Sequence, residues 1–144
     1  MAQDCCQPTI NTMILACSGG SNVGQLSNQA AIELTQEGLG KLSCLAGVGA
    51  QLSGFVQSAR DIDNLVVIDG CEVGCAKGVL EQAAVPLRGY LVVTALGIDK
   101  NKDLNLKQEE IDRVKEAVRR LQAKADEPAH SGGPQPATCG CRQP

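Results

Sequence analysis

Two cysteines stand four residues apart in the segment DGCEVGC, which occupies residues 69–75. The apolar run Leu65–Ile68 precedes this segment, and a helix-length stretch follows it. We therefore expect Cys71 and Cys75 on one face of the first helical turn, where a strand turns into a helix. A helix N-terminus stabilises a thiolate, which is the form of cysteine that binds metals and acts as a nucleophile. The segment alone is compatible with a metal site, a redox pair or packing.

Asp69 is the acidic side chain best placed for proton transfer if the protein is an enzyme, and Cys71 is then the candidate nucleophile. Asp69 can equally cap the helix that begins beyond it. The single histidine, His130, lies in a stretch expected to be an unstructured tail. A histidine base in the folded domain is therefore excluded, and whether the protein is an enzyme stays open.

Short apolar runs predict four strands, at residues 10–16, 42–46, 65–68 and 90–95. Helix-length segments alternate with them at residues 23–36, 50–59, 73–84 and 106–125. This βα alternation predicts an α/β fold, a three-layer sandwich in which a four-stranded, mainly parallel sheet is flanked by helices.

Cysteines follow the ends of successive predicted strands. Cys17 ends the first strand, Cys44 lies near the end of the second, and Cys71 follows the third. Parallel strands end at one edge of their sheet and lie about 4.8 Å apart, so these thiols can converge there, with Cys75 as a fourth. Four thiolates suit zinc, at Zn–S distances of about 2.3 Å, or an iron–sulfur cluster. The sequence therefore predicts a site for a thiophilic metal ion, with zinc expected.

Two other interpretations of the same cysteines stay open. Free cysteine often packs in a core as a small hydrophobic residue. Alternatively, the protein is a thiol redox or sulfur-transfer enzyme in which Cys71 is the nucleophile and Cys75 or Cys17 resolves the intermediate.

Glycine-rich segments at residues 18–24 and 47–49 connect predicted strands to helices. Neither matches a nucleotide-binding fingerprint, so we expect the glycines to serve tight turns. A secondary possibility is that Ser18, Ser21 and Asn22 line the metal pocket and bind a small polar ligand.

Composition restricts the class of protein. A chain of 144 residues is long enough to form one domain without disulfides, and its eight cysteines are scattered along the sequence. A net charge of −3 without a clustered basic face argues against nucleic acid as a partner. The sequence shows no secretory leader and no apolar run of membrane-spanning length, so we expect a cytoplasmic protein that does not contact a membrane.

Three segments, in order, resemble the DGC-domain family: residues 16–24, 43–49 and 67–77. The resemblance extends over about residues 10–122, and it implies zinc bound by Cys17, Cys44, Cys71 and Cys75. It says little about activity, although metal or metalloid handling is one possible role. We therefore divide the chain into a short N-terminal segment (1–9), a DGC-like α/β domain (10–125) and a disordered Cys-Gly-Cys tail (126–144). The roles of the remaining cysteines, the protein partner and the oligomeric state stay open; those cysteines are Cys5, Cys6, Cys139 and Cys141.

Overall fold

The computed structural model describes residues 11–125 of the protein. The predictions for residues 1–9 and 126–144, including those for the cysteines at both ends of the chain, lie outside the described residues. In chain order the elements are β1 (Thr12–Ala16), α1 (Asn22–Gln36), β2 (Lys41–Leu42), α2 (Leu45–Gly49), α3 (Ser53–Asp61), β3 (Asn64–Asp69), α4 (Cys75–Gln82), β4 (Gly89–Val92), a 3₁₀ turn (Val93–Leu96) and α5 (Gln108–Ala125).

The four strands form one parallel sheet in the order β2-β1-β3-β4. The central pair, β1 and β3, is in register from Thr12 opposite Asn64 to Ala16 opposite Ile68. Because every strand runs in the same direction, all carboxyl ends lie along one edge of the sheet. The predicted α/β fold with a four-stranded parallel sheet is confirmed.

Helices cover both faces of the sheet. Along β1, Ile14 and Ala16 pack in a core with α1 and α5, whereas Met13 and Leu15 pack in a second core with α2, α3 and α4. This alternation follows from the two-residue period of a strand. Each fully buried Leu or Ile stabilises the fold by about 1.5–3 kcal/mol, so the two cores hold the sheet edge in place from both sides.

The predicted second strand at residues 42–46 is wrong over most of its length. The strand β2 contains only Lys41 and Leu42, and α2 already begins at Leu45. The helix predicted at 50–59 corresponds to α3, which begins at Ser53. The helix α2 was not predicted; it ends at Gly49 and is separated from α3 by a turn at Gln51, which has a φ of 58°. A short apolar run fits a strand or a buried helical turn equally well, and here the helix forms.

The helix α4 begins later than predicted, at Cys75, with Gly74 as its N-terminal cap residue. Gly74 has a φ of 68°, a left-handed conformation that glycine adopts without steric cost. Cys71 consequently lies in the loop between β3 and α4. The expectation that Cys71 and Cys75 share one face of a helical turn is therefore wrong.

Candidate functional site

Three of the four predicted cysteines follow neighbouring strands of the sheet. In the order β2-β1-β3-β4, Cys44 comes after β2, Cys17 directly after β1, and Cys71 two residues after β3. The backbone N–H of Cys17 still bonds to the carbonyl of Ile68, at 2.9 Å, and so continues the β1–β3 pairing. The expected placement of cysteines at one sheet edge is present in the fold.

A cavity of about 220 Å³ at this edge is lined by Cys17, Cys71 and Cys75. Glycines of the β1–α1 and β3–α4 loops form much of its wall, and Lys100 and Lys102 also line it. We call this cavity the thiol pocket. Wider grooves, of about 370 and 400 Å³, lie elsewhere on the described surface, and neither is lined by a cysteine.

Cys44 is separate from the thiol pocket. Its side chain is exposed and caps α2, because its Sγ accepts a hydrogen bond from the backbone N–H of Gly47 at 3.3 Å. Within residues 11–125, no three His, Cys, Asp or Glu side chains are grouped closely enough to hold a metal ion as they stand. The structure therefore brings three predicted ligands to one pocket and leaves the fourth outside it.

Cys17 is the most buried thiol of the pocket, with 9% of its surface exposed. Burial raises the pKa of the Cys17 thiol, and the nearby Asp69 and Cys75 add to this effect. Hydrogen bonds from the backbone N–H groups of Gly19 and Gly70 oppose it by stabilising the thiolate. Cys71 and Cys75 are more open to solvent, so Cys17 forms the floor of the pocket.

Asp69 holds the start of α4. Its buried carboxylate accepts hydrogen bonds from the backbone N–H groups of Ala76 and Lys77, at 2.8 and 3.0 Å, and from the hydroxyl of Tyr90, at 3.0 Å. Burial, with the hydrogen bond to Asp69 and its charge, raises the pKa of Tyr90 to about 12. Asp69 is absent from the pocket lining. Of the two roles considered for Asp69, proton transfer and helix capping, the structure shows the capping of α4.

The glycine of the Asp-Gly-Cys sequence allows two loops to touch. A Cβ atom on Gly70 would lie 2.7 Å from the backbone nitrogen of Gly24, at the start of α1. A Cβ on Gly24 would in turn lie 2.7 Å from the backbone of Gly19. These distances are well below any real Cβ contact, so the glycines serve close backbone approach. That approach brings Cys17 and Cys71 to the same pocket.

The loop that follows the 3₁₀ turn completes the pocket and was missed by sequence reasoning. The Nζ atom of Lys100 lies 3.4 Å from the Sγ atom of Cys71, and the Nζ of Lys102 donates to the carbonyl of Gly20 at 3.1 Å. No local spacing signals these contacts, since Lys100 and Cys71 are 29 residues apart along the chain.

The polar side chains of the first glycine loop are mostly engaged within the protein. The hydroxyl of Ser21 accepts from the N–H of Gly24 and caps α1, although Ser21 also lines the pocket. Asn22 bonds to the loop that carries the lysines, and Ser18 accepts from Gln25. Of the three residues suggested as pocket lining, only Ser21 is in that position.

Comparison with known proteins now identifies the family. A family model of the DGC domain matches residues 13–118, a span that contains the whole thiol pocket. The chain belongs to the DGC-domain family. One relative is the "Anaerobic and virulence modulator AnvM" of Pseudomonas aeruginosa, 33% identical over 109 residues, which is 76% of this chain and 83% of AnvM. No solved structure matches the chain.

The helices of the described part are all too short or too polar to span a membrane. The expected location in the cytoplasm and the expected lack of a nucleic-acid partner stay predictions.

Proposed function

We propose that this DGC-domain protein binds a thiophilic metal ion, with zinc expected, in the thiol pocket. The observation that supports this proposal best is that Cys17, Cys71 and Cys75, from two distant segments, line one small cavity. Thiolate sulfur is the ligand that zinc and other soft ions select among protein side chains. Cys44, after the neighbouring strand, is the candidate for the fourth ligand.

The thiols of the pocket are suitable ligands for zinc, but their side chains must move before they can bind one ion. Since no three candidate ligands are grouped closely enough in the described residues, binding needs new side-chain rotamers at the cysteines. Cys44 would also have to give up its hydrogen bond with Gly47. With four thiolates the site would be closed and would serve structure or sequestration, whereas three thiolates and a water would leave a Lewis-acid position.

Elemental analysis of protein purified without added metal tests the proposal. We expect stoichiometric zinc in the wild type and its loss in the Cys71→Ser/Cys75→Ser double variant and in Cys17→Ser. Cys44→Ser separates the two forms of the site: loss or weakening of zinc binding indicates four thiolates, and unchanged retention indicates three thiolates without Cys44. The matched control is Cys139→Ser/Cys141→Ser, outside the matched family region. Retention of stoichiometric zinc in the Cys71→Ser/Cys75→Ser protein would refute the site.

An iron–sulfur cluster on the same thiolates is distinguished in the same preparation. Anaerobically purified protein would then absorb visible light and contain iron and sulfide, whereas a zinc protein is colourless.

A second candidate function is thiol chemistry at Cys71, as a redox or sulfur-transfer enzyme. The specific observation in its favour is the ammonium group of Lys100, which lies 3.4 Å from the Cys71 sulfur. Positive charge next to a partly exposed cysteine is typical of reactive thiols. Cys17 and Cys75 line the same pocket and could resolve an intermediate formed on Cys71.

Alkylation of metal-free, reduced protein tests this second candidate. We expect iodoacetamide to modify Cys71 faster than Cys44, which is exposed and whose sulfur accepts a hydrogen bond from the backbone N–H of Gly47. Peptide mapping after brief exposure identifies the modified residue. Equal rates at Cys71 and Cys44 would contradict a nucleophilic role.

AnvM is named a modulator, and we propose a modulating role for this chain as well. In that role the occupancy of the thiol pocket, by a metal ion or by a modified thiol, would be the signal.

A further inference from the structure

The Lys and Arg side chains that line the thiol pocket, Lys100 and Lys102, give it positive charge. No Asp or Glu of the described chain lines it, although the protein as a whole has a net charge of −3. A cleft lined by one sign of charge concentrates ligands of the opposite sign. The two ammonium groups therefore suit the pocket to an anion.

Asn22 fixes the position of both lysines. Its side chain donates to the carbonyl of Asp99 at 2.8 Å and accepts from the N–H of Asn101 at 2.7 Å. The backbone N–H of Asn22 also donates to the carbonyl of Asn101, at 3.1 Å. Because Asn22 is only 5% exposed and starts α1, the loop at 99–102 is clamped over the pocket.

Both ammonium groups can bind a further ligand. Each lysine has three N–H donors, and the structure uses one on each: Lys100 toward the Cys71 sulfur and Lys102 toward the Gly20 carbonyl. The cavity of about 220 Å³ is smaller than the roughly 300–1,000 Å³ of pockets for drug-sized ligands, so it suits a small inorganic ion.

We propose that the thiol pocket takes a small sulfur oxyanion with a transferable outer sulfur atom, represented by thiosulfate, and that Cys71 receives this sulfur. The inference rests on the second candidate function, the nucleophilic role of Cys71. The lysines hold the oxygen atoms, and the soft outer sulfur meets the thiols.

The transfer balances without any other reactant. The Cys71 thiol first releases its proton to solvent, and the thiolate attacks the outer sulfur of thiosulfate. A new S–S bond forms on Cys71 while the S–S bond of the donor breaks, and its electron pair leaves with sulfite. The protein gains one sulfur atom as a persulfide, and no external oxidant or reductant is consumed.

The test uses the full-length, reduced, metal-free protein with thiosulfate as the probe. Intact-mass spectrometry should record a gain of one sulfur atom, and peptide mapping should place it on Cys71. In the Lys100→Met/Lys102→Met variant the rate should fall at least about tenfold, the loss expected for one charge-assisted hydrogen bond. The control Lys107→Met removes an exposed lysine outside the pocket and should react like the wild type.

Charge recognition is separated from thiol reactivity by two alkylating agents. Iodoacetate carries a negative charge and iodoacetamide is neutral, while their reaction with the thiol is the same. Lys100 bonds to the Cys71 sulfur, whereas Lys102 bonds to the carbonyl of Gly20. Lys102→Met should therefore lower the rate with iodoacetate more than the rate with iodoacetamide. Circular dichroism confirms that each variant is folded.

The failures are distinguishable. Slow reaction of Cys71 with iodoacetamide would overturn its nucleophilic role and with it this inference. Fast alkylation without sulfur gain from thiosulfate would leave the nucleophile in place and overturn the proposed substrate. Sulfur gain that is equally fast without the two lysines would overturn their role in holding the anion.

Discussion

Replacement of Gly70 by alanine tests whether close backbone contact builds the thiol pocket. The added Cβ would lie 2.7 Å from the nitrogen and 3.0 Å from the Cα of Gly24, and 2.8 Å from the carbonyl carbon of Val23. All three are backbone atoms at the start of α1, so none can rotate away as a side chain would. Either α1 or the β3–α4 loop must shift by several tenths of an ångström.

Overpacking of a filled site lowers the free energy of unfolding by about 1–3 kcal/mol, and we expect a loss of this size for Gly70→Ala. For a domain of this size that corresponds to a fall in Tm of about 4–12 °C. The pocket should change as well, because the N–H of Gly70 donates to the Cys17 sulfur, and a shifted loop weakens that bond. Because that bond stabilises the Cys17 thiolate, the form that reacts, we expect Cys17 to be alkylated more slowly in Gly70→Ala than in the wild type.

Denaturant unfolding and peptide-mapped alkylation measure the two effects. The matched control is Gly78→Ala, inside α4, where an added Cβ meets no atom within 4 Å. That variant should be more stable than the wild type by about 0.5–1 kcal/mol, since alanine is the better helix residue. If Gly70→Ala unfolds within about 0.5 kcal/mol of the wild type, the range of an ordinary surface substitution, the reasoning is wrong.

Three further predictions concern charges near the site and in the core. Tyr90 is the only tyrosine of the sequence, so tyrosinate absorbance after a rapid pH jump reports on it alone and should titrate at about 12. A midpoint at 10.0, the ordinary pKa of tyrosine, would refute the pairing with Asp69. Asp69→Ala removes three hydrogen bonds from a buried carboxylate and should lower stability by about 3–5 kcal/mol in denaturant unfolding, whereas a loss below about 1 kcal/mol would contradict the capping role. The buried Lys115 lowers the pKa of Glu33 and Glu37 chiefly by hydrogen bonding. The folding stability that these ion pairs contribute is present above pH 4.5 and should be lost as pH falls through the depressed pKa values. Lys115→Met should flatten this dependence of stability on acid pH, measured by urea unfolding at several pH values, and an unchanged dependence would oppose the assignment.

The sheet was predictable because its signal is local and repeated. Each apolar run between turn residues marks a strand, and the βα alternation leaves a parallel sheet as the favoured arrangement. The second strand was predicted too long because the short, mostly apolar run at residues 42–46 fits a strand and a helical turn equally well. In the structure a helix begins at Leu45 and packs Val48 in the core. Tertiary packing thus overrides a local pattern that is ambiguous.

The site was predictable only where sequence order and strand order coincide. Cys17 and Cys71 follow the paired strands β1 and β3, so the expectation of neighbouring thiols could be made from the chain alone. Cys44 follows β2 at the same edge, but the early start of α2 turns its sulfur to Gly47. Lys100 is brought to the pocket by Asn22, through bonds that join residues 77 and 79 positions apart, and no spacing rule reveals such contacts.

The three residues of the Asp-Gly-Cys sequence act on three different parts of the molecule. Asp69 bonds to the start of α4, Gly70 packs on the start of α1, and Cys71 opens into the thiol pocket. Since α1 and α4 cover opposite faces of the sheet, this one loop connects both helical layers to the pocket. A ligand or sulfur atom bound at Cys71 is therefore attached to a loop, residues 69–71, that contacts helices of both layers. If binding stabilises that segment, it must also raise the stability of the folded chain, because a ligand that prefers the native state shifts the folding equilibrium toward it.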